Sequence, residues 1–180
     1  MSVKDNLETI LNELKQNSQI VSDGEFQNFI KEIVKANHIY LLGKGRSGLI
    51  ISAFANRLMH LGLSVSLVGE ITSPRTNAGD LLVIGSGSGE TLSLLPIAQK
   101  AKAKNVRVAL ITTDRNSRIA SLADSIVALP RDSKLFGKSR QPMASAFEQL
   151  SFIVYDAIIL ELQILNENSN SMCHRHADLE

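Results

Sequence analysis

The stretch "VIGSGSGET", residues 83–91, ends an apolar run on alternating glycine and serine, followed by an acid and a threonine. Gly85, Gly87 and Gly89 carry no side chain, so the backbone is free to aim successive N–H groups into one concavity. Ser86, Ser88 and Thr91 add hydroxyl donors, and a helix expected to begin near Glu90 adds the positive end of its dipole. The chemistry of such a loop is anion binding. No Gly-Lys-Ser/Thr closes it, so it is not a Walker loop.

A second glycine loop, "GKGRSG" at residues 43–48, places Gly43, Gly45 and Gly48 at G-x-G-x-x-G spacing. Glu70 follows roughly where a ribose-binding acid would sit, ~20 residues on, so a dinucleotide-binding protein is one rival reading. The side chains of Lys44, Arg46 and Ser47 argue against it, because a pyrophosphate needs close backbone approach at that place. One nucleotide fingerprint also has no need of a second anion loop. For either loop alone, glycine and serine that merely end a strand and cap a helix are the plainer alternative.

Short runs rich in Val, Ile and Leu deliver these loops: "HIYLLG" (38–43), "SVSLVG" (64–69), "DLLVIG" (80–85), "VRVALIT" (106–112) and "DSIVALP" (124–130). Such runs suit parallel strands buried on both faces. Helical segments alternate with them: "SGLIISAFANRLMHLG", "ETLSLLPIAQKAKAKN" and the shorter "NSRIASLA". The alternation predicts a single doubly wound α/β sheet of five parallel strands in flavodoxin-like order 2-1-3-4-5, flanked by helices. In that order strands one and three flank the switch point, and both loops open into the crevice where such folds bind ligands.

Two amphipathic helices precede the sheet within residues 1–36. Leu7, Ile10, Leu11 and Leu14 share one face of the first, and Phe26, Ile30, Ile33 and Val34 one face of the second. After the fifth strand a polar loop, "RDSKLFGKSRQPM", leads to "ASAFEQLSFIVYDAIILELQIL", a helix apolar nearly all round. It is expected to be buried in the domain or in a subunit interface. The core thus spans residues 37–165, a polar tail 166–180, and the whole chain 1–180 reads as one domain.

With 44% hydrophobic and 21% charged residues, the chain has material for a real core. A net charge of +1 gives no whole-molecule field for nucleic acid or an anionic membrane, and no basic DNA-reading face is evident. The single cysteine, Cys173, excludes an internal disulfide framework and fits a reducing cytosol. The N-terminal stretch interrupts its apolar residues with charge and lacks a secretory core, so a cytoplasmic location is expected. His174 and His176 beside Cys173 match no complete zinc site, so no metal is expected. His38, at a strand start, is expected to be solvated, and His60 to pack within an apolar helix.

The loops "GKGRSG" and "SGSGET" together resemble the sugar isomerase (SIS) domain family, whose serine- and threonine-rich loop grips a sugar phosphate. "GRSG", "RLMHLG", "VGE", "SGSGET", "FEQ" with "YDAII" and the terminal "RHADLE" resemble the hexulose-phosphate isomerases within it. The resemblance implies a homotetramer that interconverts D-arabino-hex-3-ulose 6-phosphate and D-fructose 6-phosphate without metal or cofactor. It implies that Ser47, Ser86, Ser88 and Thr91 bind substrate, and that Glu148 is the proton acceptor. Arg46, Gly87, Gly89 and Glu90 in the two loops complete the substrate-binding candidates, and His176 is the second catalytic candidate, as proton shuttle or oxygen donor. Lys44 stands where the family would have a small residue, and Asp178 where it would have an amide. A functional link to 3-hexulose-6-phosphate synthase, and the choice between formaldehyde fixation by the ribulose monophosphate pathway and pentose supply, stay open.

Moving a carbonyl between adjacent carbons needs a base beside it and donors for the enediolate oxygen. Glu148, with apolar helical neighbours in Phe152, Tyr155 and Ile159, is a credible base. Ser145 and Glu148 also spell an S-x-x-E capping box at a helix start, which spacing alone favours. A non-catalytic sugar-phosphate sensor remains the second rival, since it needs the loops but not the base.

Overall fold

Apolar residues alternate in direction along each strand, and that alternation builds two cores. Ile39, Leu41, Leu81, Val83, Ala109 and Ile111 point into one. Tyr40, Leu42, Leu82, Ile84, Val108 and Leu110 point into the other. This is the period of two expected for a strand buried on both faces. The computed structural model of the 180-residue chain describes residues 2–131, 139–165 and 172–178.

The strands are β1 (Ile39–Gly43), β2 (Val65–Leu67), β3 (Leu81–Gly85), β4 (Arg107–Thr112) and β5 (Ser125–Ala128). All pair in parallel, in the order β2-β1-β3-β4-β5. The predicted fold is therefore the observed one. Gly43 and Gly85 are register partners, so β1 and β3 end side by side.

Helices α1 (Val3–Ser18), α2 (Asp23–Val34), α3 (Gly45–His60) and α5 (Ser145–Leu165) pack on the first face, and α4 (Leu95–Ala103) on the second. Several local expectations are corrected. Leu7 and Leu11 of the predicted α1 face stay more than half exposed, leaving Leu14 as its buried residue. In α2, Val34 is exposed and Phe29, outside the expected stripe, is the deepest anchor.

The helix expected near Glu90 begins only at Leu95. A turn closed by the Leu94 N–H to Thr91 O bond precedes it, and Pro96 occupies its first turn, where a missing N–H costs nothing. "NSRIASLA" forms only a 3₁₀ turn, Ala120–Leu122. His38 is partly buried rather than solvated, with Nε2 2.9 Å from Ser66 Oγ on β2.

The long helix α5 divides. Phe147, Leu150, Val154, Tyr155, Ile158, Ile159 and Leu162 enter the core, while Phe152, Ile153, Leu160 and Ile164 remain exposed. Among the described residues no helix is long and apolar enough to cross a membrane.

Candidate functional site

At the carboxyl ends of β1 and β3 the two glycine loops stand next to each other. In the first, glycine serves packing. A Cβ on Gly43 would lie 2.9 Å from Gly48 Cα, and one on Gly48 would lie 3.0 Å from the Gly43 carbonyl oxygen. These two glycines let the start of α3 press directly on the end of β1. Their spacing is thereby explained without a pyrophosphate.

The second loop is pinned by its carbonyls. Gly87 O accepts from the Thr113 N–H (2.9 Å), Thr113 Oγ1 (2.8 Å) and Thr112 Oγ1 (3.1 Å). Gly89 O accepts from the Ile119 N–H at 3.1 Å. Gly89 itself has φ +62°, and a Cβ there would run into the Ser117 side chain. With the carbonyls drawn toward the strand β4 side, the Gly87, Ser88 and Thr91 amides bond no described residue. Such a run of N–H groups has the arrangement that can cradle an anion.

The side chains of this loop take distinct roles. Ser88 Oγ accepts from the Glu90 N–H at 3.2 Å, which leaves its own hydrogen to donate. The Ser86 and Thr91 hydroxyls lie 3.2 Å apart. Glu90, expected to touch substrate, spends both carboxylate oxygens on Arg118. Oε1 accepts from its N–H at 2.6 Å and Oε2 from its Nε at 2.5 Å. Those bonds from Arg118, backbone first and side chain second, hold the Glu90 carboxyl below the usual carboxylate range. Its observed work is to tie the loop to the β4–β5 connection.

Between the loops stands Glu148, in the first turn of α5 and only 9% exposed. Ser47, Gly85, Phe147 and Tyr155 line the narrow crevice it shares. The expected capping box does not form. Ser145 Oγ donates to Pro142 O at 2.8 Å and accepts from Arg46 Nη1 at 2.9 Å, while the Glu148 N–H bonds Ala144 O at 3.2 Å. The reason lies in the backbone. Met143 and Ala144 both take positive φ, +55° and +64°, so Ser145 becomes the first helical residue instead of the cap. The Glu148 carboxylate is left to an ion pair, Oε2 to Arg46 Nε at 3.0 Å, without hydrogen-bond alignment.

A wider cleft opens on the other side of Phe147, lined by Ser88, Thr113, Arg131, Ser139 and Gln141. Gly87 and Glu90 also line it, so three of the sequence candidates reach this cleft, whereas sequence reading singled out none of Thr113, Arg131, Ser139 and Gln141. Arg131 and Gln141 were visible as polar residues of the loop before α5, but nothing in their spacing tied them to the glycine loops. Much of that loop, residues 132–138, lies outside the described residues.

The structure brings Arg46, Ser47, Ser86, Gly87, Ser88, Gly89, Thr91 and Glu148 to one end of the sheet. His176 is not among them. Its ring lies 5.2 Å from that of His60, at the last turn of α3. Arg46, the ion-pair partner of Glu148, is at the first turn of the same helix, so about 21 Å of helix lies between the end beside His176 and the end beside Glu148 of the same chain. Among the described residues no group of three or more His, Cys, Asp or Glu is arranged to hold a metal.

An α/β sheet with an anion loop at its switch point defines the class, and the family model of the SIS domain matches residues 32–160. The chain belongs to the SIS domain family. It is 42% identical over 176 residues to the 3-hexulose-6-phosphate isomerase of Bacillus subtilis, covering 95% of each chain. It is 36% identical to that of Mycobacterium gastri, covering 99% of this chain and 92% of the relative. Among solved structures, a Methanococcus jannaschii protein whose structure infers a molecular function of 3-hexulose-6-phosphate isomerase superposes with a TM-score of 0.84. That pair shares 34% identity over 98% of this chain and 99% of the other.

Proposed function

We propose that the chain is a sugar-phosphate isomerase that interconverts D-arabino-hex-3-ulose 6-phosphate and D-fructose 6-phosphate through an enediolate. The observation that carries this reading is the Glu148 carboxylate, 9% exposed and beside both loops, whose partner among the described residues is the ion pair with Arg46. A loop that merely binds phosphate has no use for a buried, incompletely bonded carboxylate, since burying a charge is costly. Relatives that match over nearly the whole chain carry the same activity in their names.

In this mechanism the open amides of Gly87, Ser88 and Thr91 and the Ser88 hydroxyl bind the phosphate. Glu148 removes the proton from C2 of the 3-ketose. The electron pair forms the C2–C3 enediolate, the O2 hydroxyl proton passes to O3, and the carbon-bound proton returns at C3 as the C2 carbonyl forms. The start of α3, with Ser47 and the positive end of its dipole, faces the oxygen that gains charge. Arg46 orients the carboxylate. Glu90 acts as a brace and not as a ligand.

Because His176 stands at the far end of α3, it serves the cleft of a neighbouring subunit. The exposed Leu7, Leu11, Phe152, Leu160 and Ile164 on α1 and α5 supply apolar area for the homotetramer this requires. Proton NMR of fructose 6-phosphate with the protein in D₂O tests the reading. Resonances of the 3-ketose should appear and the C3 hydrogen should exchange. An unchanged spectrum at enzyme-like concentrations, with binding demonstrated, favours the sensor and overturns the isomerase.

A further inference from the structure

Two motifs, "RLMHLG" at residues 57–62 and the "RHAD" at residues 175–178, stay outside the cleft, and the fold brings them together. Gly62, just past the end of α3, has φ +89°, and a Cβ there would stand 3.0 Å from Arg175 Cζ. The missing side chain makes room for the guanidinium. Arg175 Nη1 donates to the His60 carbonyl at 3.1 Å, filling one of the acceptors that a helix leaves open at its end. Its positive charge also suits the negative end of the α3 dipole.

One residue further, the His176 ring stacks on His60 with an interplanar angle of 22°. His60 is 6% exposed, whereas His176 faces solvent. Burial, followed by His176 and then Arg57, pushes the His60 imidazole below its ordinary value, so it remains neutral around pH 7. Two stacked imidazolium rings would repel; a neutral buried ring is a stable base for a second one. A tail that merely frays needs no such fit of glycine, guanidinium and imidazole.

We propose that His60, Gly62 and Arg175 form a seat that fixes the tail and aims His176 at the cleft of a second copy of the chain. His60 and Arg175 are then positioning residues for the isomerisation, acting through His176. The inference rests on the isomerase reading above.

Steady-state kinetics of His60→Ala, Arg175→Ala, His176→Ala and the Arg175→Ala/His176→Ala pair test it, together with the rate at which carboxypeptidase trims the tail. Arg175→Ala and His60→Ala should each lower kcat about tenfold or more while KM moves less than about threefold. Tail trimming should accelerate in both, and His60→Phe, which keeps the ring stack, should recover most of kcat. The double variant should be no slower than His176→Ala alone, because effects that run through one residue do not add. Arg175 lies on the exposed tail, so its variant decides the matter even if His60→Ala is unstable.

A kcat for Arg175→Ala within about twofold of the parent overturns the inference, as do losses that multiply in the double variant. Unchanged trimming overturns the seat itself. A parent protein that does not isomerise the sugar removes the isomerase reading and the catalytic half of this inference, and the trimming rates then judge the seat alone.

Discussion

The loops Gly43–Gly48 and Gly85–Gly89 look alike as strings of glycine and small polar residues, yet they use glycine for opposite ends. In the first, backbone fills the space a side chain would take, and Gly43 and Gly48 touch. In the second, carbonyls are drawn to Thr112, Thr113 and Ile119 and three amides bond no described residue. Spacing therefore does not distinguish a packing glycine from a binding one. What distinguishes them is where the carbonyls go.

Glu148, which faces both loops, gives the largest expected effect. Glu148→Gln keeps size and polarity but cannot accept a proton, so turnover should fall ~10²–10⁴-fold with sugar-phosphate binding nearly intact. Measuring kcat beside the affinity for fructose 6-phosphate checks it. Nearly normal turnover with a lower unfolding midpoint would make Glu148 a structural residue of α5 and leave the two loops without a base.

The comparison itself is sharpened by one substitution in each loop. Gly43→Ala forces a methyl against the backbone of Ser47 and Gly48, and such overpacking costs about 1–3 kcal/mol. Thermal unfolding should register that loss. Ser88→Ala should leave the unfolding midpoint unchanged and weaken phosphate-ester binding about tenfold, the worth of a hydrogen bond to a charged group. Finding these effects exchanged between the loops would break the distinction.

The smallest effect concerns Glu90. Its folded carboxyl is held below its ordinary value by the Arg118 bonds. A carboxyl depressed on folding contributes stability that is present above its unfolded pKa and is lost as pH falls through the folded pKa. The gap between parent and Glu90→Gln in urea midpoint should thus be present at pH 7 and shrink below about pH 4.5. A gap that grows on acidification would contradict the brace.

Much of this was legible in the chain. The five apolar runs declared their strands because each carries branched apolar residues in both phases of the pleat, and parallel pairing followed from the helices between them. Both loops were legible for a local reason, since glycine and hydroxyl stand where strands end, whereas Glu148 stood out through the family resemblance, its spacing alone favouring a helix cap. Only the tertiary structure decided what those residues touch. Arg46 reaches Ser145 across 99 residues and Arg175 reaches His60 across 115, and no periodicity encodes contacts at that range. The cap expected at Ser145 was lost to the left-handed backbone of Met143 and Ala144, and Glu90 gained its partner because Arg118 folds beside it. A residue's type is local. Its partner is set by packing.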